Sequence, residues 1–163
     1  MNEQLLKMNG LSVEILNALS FESHLGISLK KNLHYFDKDL LIAELMTMTD
    51  WLDEQEVLSD IALDYKVKSL DAILLKYDRY YPNHQTRKVF NDILGFRAFC
   101  DSYDQALKEE ASGFRIADMS NGKSLDDGYR GVHVYYQKSG KHYPIEIQFN
   151  TLFDRQLNNW LHD

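Results

Sequence analysis

The stretch GVHVYYQKSGKHYPIEIQFN, residues 131–150, constrains the fold more than any other part of the chain. Polar and apolar side chains alternate on both sides of Ser139-Gly140, the pattern of two half-buried antiparallel strands joined by a turn. A tight two-residue turn at that dipeptide predicts the pairs Val132–Ile147, Val134–Ile145 and Tyr136–Tyr143 on one apolar face. The other face then sets His133 against Glu146, with Tyr135 and Gln148 beside them. Directly opposed side chains lie about 5 Å apart at Cβ, so an imidazole and a carboxylate become neighbours. A polar strand face is also ordinary solvated surface, and the hairpin alone does not separate the two readings.

Upstream the chain reads helical. Leu41, Leu45, Met48 and Leu52 form an apolar stripe between Asp37 and Glu56, and an earlier helix covers Leu11 to Leu19. In VLSDIALDYKVKS the second half reads as a short strand, followed by a helix from Ser69 to about Tyr80. The proline in YYPNHQ makes that segment a loop. ILGFRAFC then reads as a buried strand, Ser102 and Gln105 as a helix start with Gly113 as its stop, FRIADM as another strand, and TLFDRQLNNWLHD as a closing helix. Helices first, then strands with one helix between them, predict an α/β (α+β) fold with a mixed sheet flanked by helices. At 163 residues the chain fits one domain, with residues 1–56 as a helical N-terminal part and 57–163 as the sheet and its flanking helices.

No apolar run approaches the roughly 18 residues that span a bilayer, and MNEQLLKMNG lacks the layout of a secretory signal. With a single cysteine, Cys100, best read as strand packing, the expected location is the cytoplasm. The net charge of −7 disfavours broad nucleic-acid binding. Charge is uneven, however. Between Tyr65 and Arg97 seven basic residues face three acids, so that segment carries +4 and the remainder −11. A basic island in an acidic protein fits either a solvated helix face or a compact site for phosphates.

Asp92 stands at the entrance to the ILGFRAFC strand, where an acid serves as a cap or a metal ligand. Glu146 lies on a neighbouring strand. Two such carboxylates can share one Mg²⁺ that also binds nucleotide phosphates, and Lys66, Lys68 and Lys76 can supply point charges to those phosphates.

In this order, YKVKSLDAILLKY, FNDILGFR, DDGYRGVH and YPIEIQFNT resemble the synthetase domain of the RelA/SpoT family of alarmone synthetases, over roughly Val57 to Trp160. The length resembles that of the small single-domain members. The resemblance implies a nucleotidyltransferase-like synthetase fold and transfer of pyrophosphate from ATP to the 3′-hydroxyl of GTP or GDP, giving (p)ppGpp and AMP. It makes Asp92 and Glu146 the catalytic Mg²⁺ ligands, with Glu146 also near the attacking hydroxyl. Lys66 and Arg97 would flank the adenine, and Lys68 and Lys76 would contact the ATP phosphates. Tyr129, following Gly128, would stack on the acceptor guanine. His133 would reach the acceptor phosphates or ribose, and Gln148 would support the site. Small members of the family often assemble through helices beyond the catalytic sheet, so the resemblance leaves a homo-oligomer open.

Four positions depart from the family pattern. Lys66 replaces an arginine, Ala72 a serine, and Asn150 an arginine; Leu125 replaces a lysine for which Lys123 would substitute in the acceptor site. Two other readings stand beside the first: a toxin-like relative that pyrophosphorylates the tRNA 3′ end, and a non-catalytic nucleotide-binding regulator. The acidic remainder speaks against tRNA, and retention of both Asp92 and Glu146 speaks against the regulator. His162-Asp163 looks like half of a hydrolase metal motif without partner histidines, and Arg79, Arg87 and Lys88 could extend the phosphate site.

Overall fold

The computed structural model describes residues 3–107, 113–122 and 128–162. Short helices α1 (Glu3–Met8) and α2 (Val13–Ala18) lead into the long α3 (Lys38–Asp53) and the short α4 (Glu56–Asp60). Strand β1 (Asp64–Val67), α5 (Leu70–Tyr80), α6 (Thr86–Val89) and β2 (Leu94–Phe99) follow. After α7 (Tyr103–Leu107) come β3 (Phe114–Met119), β4 (Gly131–Tyr136), β5 (Ile145–Asn150) and α8 (Leu152–His162).

Local chemistry accounts for the helix starts. Ser12, Asp37 and Ser69 each accept a backbone N–H three residues on, at 3.1, 3.0 and 3.2 Å, which satisfies donors that the first turn leaves open. The stripe Leu41, Leu45, Met48 and Leu52 is fully buried, as its spacing predicts. The short α1, α4 and α6 carry too few residues for a periodic signal. Tertiary bonds secure the first of them: the Asn9 side chain accepts from the Phe99 N–H and donates to its carbonyl, both at 2.9 Å. Cys100 is buried, and burial, then the Asp101 charge, pushes its thiol up to about 11, so it packs rather than reacts.

The five strands form one mixed sheet in the order β1-β2-β5-β4-β3, parallel between β2 and β5 and antiparallel elsewhere. This is the expected α+β architecture. Val132, Val134, Tyr136, Ile145, Ile147 and Phe149 are buried, together with Leu94, Phe96 and Ala98 of β2. The Tyr136 hydroxyl reaches Asn17 of α2. Among the described residues no helix is long and apolar enough to cross a membrane.

The hairpin register differs from the tight-turn expectation by two residues. Val132 pairs with Phe149, His133 with Gln148, Val134 with Ile147, Tyr135 with Glu146, and Tyr136 with Ile145. The cause is the connection. Residues 140–143 bond the 21–29 segment instead of β4: Ser23 N–H to Lys141 carbonyl at 2.7 Å, Leu29 N–H to Gly140 at 2.9 Å, and Tyr143 N–H to Phe21 at 3.0 Å. Pro144, which would face Gln137 in this register, has no N–H to offer. A shift of two keeps every side chain on its face, so the apolar and polar sorting survives while the opposed partners change.

Tyr143 therefore leaves the strand pairing and becomes an anchor. It is fully buried, and its hydroxyl donates to Glu44 of α3 at 2.6 Å. Glu44 also accepts from the Ser23 hydroxyl at 2.8 Å and the His24 N–H at 2.6 Å. Burial and the Glu44 carboxylate push the Tyr143 hydroxyl far above its ordinary pKa, so it remains a donor. Replacing Glu44 by alanine removes the acceptor of two buried hydroxyls, those of Tyr143 and Ser23, and of the His24 N–H. The expected loss is about 3 kcal/mol of stability, read as a lower urea midpoint with an unchanged slope; a midpoint equal to wild type would contradict this role.

Candidate active site

The polar face of the sheet is a grid. Cross-strand pairing sets Lys66, Gly95, Glu146, Tyr135 and Arg115 in one row, and Asp64, Arg97, Gln148, His133 and Ala117 in the next. A cleft of about 530 Å³ opens over the β1, β2 and β5 part of this grid, lined by Lys66, Lys68, Asp92, Arg97, Glu146 and Gln148. Gly95 forms its floor beside Glu146. A Cβ there would meet Glu146 Oε1 at 3.6 Å, so the glycine keeps the space above the carboxylate open.

Asp92 caps no helix; it meets two lysines. Lys68 Nζ lies 3.1 Å from Oδ2 and Lys76 Nζ 3.0 Å from Oδ1. Lys68 is brought there because its N–H donates to the Ile93 carbonyl at 2.8 Å, just beyond the β1–β2 pairing. Lys76 comes from α5, one turn beyond the buried Ile73.

Glu146 is only 7 % exposed. Its Oε2 accepts from the Tyr135 hydroxyl at 2.9 Å and its Oε1 from Gln148 Nε2 at 2.7 Å. The expected His133–Glu146 neighbourhood holds, but diagonally: Nδ1 stands 3.6 Å from Oε2 while Tyr135 takes the directly opposed position. Burial, then the Glu146 charge, raises the Tyr135 hydroxyl well above its ordinary pKa. It therefore keeps its proton and fixes the carboxylate as a donor.

His133 Nε2 faces the Tyr129 hydroxyl at 2.8 Å. Two glycines shape this corner. Gly128 has φ +90, and a Cβ on Gly131 would come within 2.8 Å of both the Tyr129 hydroxyl and Asn150 Nδ2. Tyr129 can thus lie over the strand only where no side chain intervenes.

A second lobe of about 250 Å³ shares Arg97 and Gln148 with the first and adds Tyr129, His133, Asn150 and Arg155. Arg155 of α8 is absent from the sequence expectations. It is 9 % exposed, its Nε donates to Asn150 Oδ1 at 3.3 Å, and its guanidinium lies 4.6 Å from the Phe99 ring centre. Its Nη2 is buried with no hydrogen-bond partner among the described residues. Burial, then the Arg97 charge, lowers its pKa. Asn158, one turn on, donates to the Arg130 carbonyl at 3.0 Å. The only sequence signal was their three-residue spacing in a helix where most residues are polar.

Of the expected site residues, Lys66, Lys68, Lys76, Asp92, Arg97, Tyr129, His133, Glu146 and Gln148 come together around these two lobes. Lys123 and Leu125 lie outside the described residues, as does Asp163. Arg87 lies elsewhere, in a separate cleft.

Asp64, Asp92 and Glu146 are the carboxylates that line the cleft, and of these Asp92 and Glu146 could hold a divalent cation. Among the described residues no group of three His, Cys, Asp or Glu side chains could hold a metal. Two carboxylates suit an ion such as Mg²⁺, which keeps most of its shell as water and phosphate oxygens, and not a closed protein cage. Each Asp92 oxygen meets a lysine ammonium here.

No family model matches the sequence, and no curated protein matches it. Among solved structures, the chain is similar to small alarmone synthetase 1 from Bacillus subtilis bound to its product pppGpp, with 26% identity, a TM-score of 0.45, and coverage of 76% of this chain and 70% of that one. A second structure of that synthetase gives 25% identity and a TM-score of 0.43 over 77% of this chain and 75% of that one. Its AMPCPP-bound form gives 23% identity and a TM-score of 0.39 over the same shares.

Proposed function

We propose that this protein is an alarmone synthetase that transfers pyrophosphate from ATP to the 3′-hydroxyl of GTP or GDP, giving (p)ppGpp and AMP. The observation that carries the reading is the meeting of Lys68, Lys76, Asp92 and Glu146, from separate parts of the chain, at one cleft. A site that only bound a nucleotide would need the lysines but not a second, buried carboxylate.

In this reading the acceptor 3′-oxygen attacks the β-phosphorus of ATP, the bond to the α–β bridging oxygen breaks, and AMP leaves. Glu146 takes the hydroxyl proton. Tyr135 and Gln148, each on one of its oxygens, hold the carboxylate in a single orientation. Lys68 and Lys76 move from Asp92 to the phosphates, and the Lys66 and Arg97 side chains flank the adenine. Lys66 brings a point charge where a guanidinium would stack, so adenine is gripped less tightly there. Mg²⁺ held by Asp92 and Glu146 would neutralise charge on the transferred group. Tyr129 stacks on the acceptor base beside His133.

The test is γ-labelled ATP with Mg²⁺ and GDP, GTP or deacylated tRNA in separate reactions. Label on a guanine nucleotide is the expected result; label on tRNA alone, or on none of them, would overturn the proposal. Asp92→Ala and Glu146→Ala should each lower turnover at least about 10²-fold, and near-normal turnover in either would remove that residue from the chemistry.

Tyr129→Phe should retain acceptor affinity because it keeps the ring, whereas Tyr129→Ala should weaken it about tenfold, the scale of one lost base stack. Equal acceptor KM values for the two variants would contradict stacking.

A further inference from the structure

On the far side of Tyr135 lies a third cleft, of about 380 Å³, that shares no lining residue with the two active-site lobes. Four cations converge on it: Lys30, Arg87, Arg115 and Lys138. They come from four distant segments of the chain, and among the described residues none of them forms an ion pair with a carboxylate. Lys68 and Lys76 differ, since each pairs with one oxygen of Asp92.

Backbone bonds hold the four segments to one another. The Leu29 N–H donates to the Gly140 carbonyl at 2.9 Å, the Arg87 N–H to the Leu29 carbonyl at 2.8 Å, and the Gln137 N–H to the Gly113 carbonyl at 2.8 Å. The cations are therefore presented by fixed backbone around a concavity. Holding four like charges together costs free energy that an anion would return. Arg115 also lies over the Tyr135 ring, 5.7 Å from its centre, while the Tyr135 hydroxyl holds Glu146. The ring is the partition between this cleft and the catalytic carboxylate.

We propose that this cleft is a second anion site that binds a polyphosphate chain, either the tail of a small nucleotide or free polyphosphate. Two guanidinium forks suit phosphate oxygens, and two ammonium groups add point charges. A cleft of this size holds a di- or triphosphate and has no room for a length of nucleic acid. The proposal does not depend on the reaction assigned to the active site, and its test measures no turnover.

The experiment is calorimetric titration of inorganic tripolyphosphate into the Lys68→Glu/Lys76→Glu variant, whose catalytic cleft has lost its phosphate-binding lysines. One equivalent should still bind. Adding Lys30→Glu and Lys138→Glu should weaken that binding at least tenfold, whereas adding Lys7→Glu, on α1, should not. Thermal melts establish that each variant is folded, and Lys30→Gln/Lys138→Gln replaces any charge reversal that is not. If ATP or GTP binds there more tightly than tripolyphosphate, the ligand is a nucleotide tail; equal or weaker binding identifies free polyphosphate. Absence of binding to the Lys68→Glu/Lys76→Glu variant, or binding indifferent to Lys30 and Lys138, would overturn the proposal. Tighter binding of a short single-stranded RNA at these residues would also overturn it.

Discussion

Tyr135 stands directly across from Glu146, and the geometry of the candidate site depends on that pairing. A carboxylate 7 % exposed on a central strand needs donors, and Tyr135 and Gln148 supply one to each oxygen. The pairing exists only because β4 and β5 are offset by two residues from a tight hairpin. That offset exists because the connecting loop bonds to residues 21–29 and Tyr143 is anchored on Glu44. A bond between α3 and the loop thus sets which side chain orients a carboxylate on the sheet face.

The second constraint is electrostatic. Asp92 is held between Lys68 and Lys76, and all three are partly accessible, at 19 to 23 % of their side-chain surface. Ion pairs of this exposure are weak enough to exchange for a more highly charged partner. One carboxylate between two ammonium groups leaves the trio with a net positive charge, which favours an anion. Glu146, by contrast, meets neutral donors, the Tyr135 hydroxyl and the Gln148 amide.

Much of this was legible in the sequence. The stripe from Leu41 to Leu52, the Ser69 helix start, the strands and the two faces of the hairpin follow from local periodicity and turn chemistry, and the structure carries them as read. The hairpin's polar face was legible too, because strand alternation survives an even register shift, whereas the rows across the other strands were not. The loop that sets the register was not, since its partners lie more than a hundred residues upstream. Arg155 was hidden because spacing in a mostly polar helix does not reveal which residue is buried. The third cleft was hidden for a related reason: Lys30, Arg115 and Lys138 fall outside the basic segment between Tyr65 and Arg97, and only the fold brings them to Arg87.

The most direct measurement is the affinity of a non-hydrolysable ATP analogue, with and without Mg²⁺, for wild type and Asp92→Asn. If Asp92 shares the cation and holds the lysines in reserve, Mg²⁺ tightens binding to wild type. In Asp92→Asn that dependence is lost, while metal-free binding is equal or tighter because Lys68 and Lys76 are released. An Asp92→Asn protein that keeps the full Mg²⁺ dependence, or binds the metal-free analogue more weakly than wild type, would contradict the account.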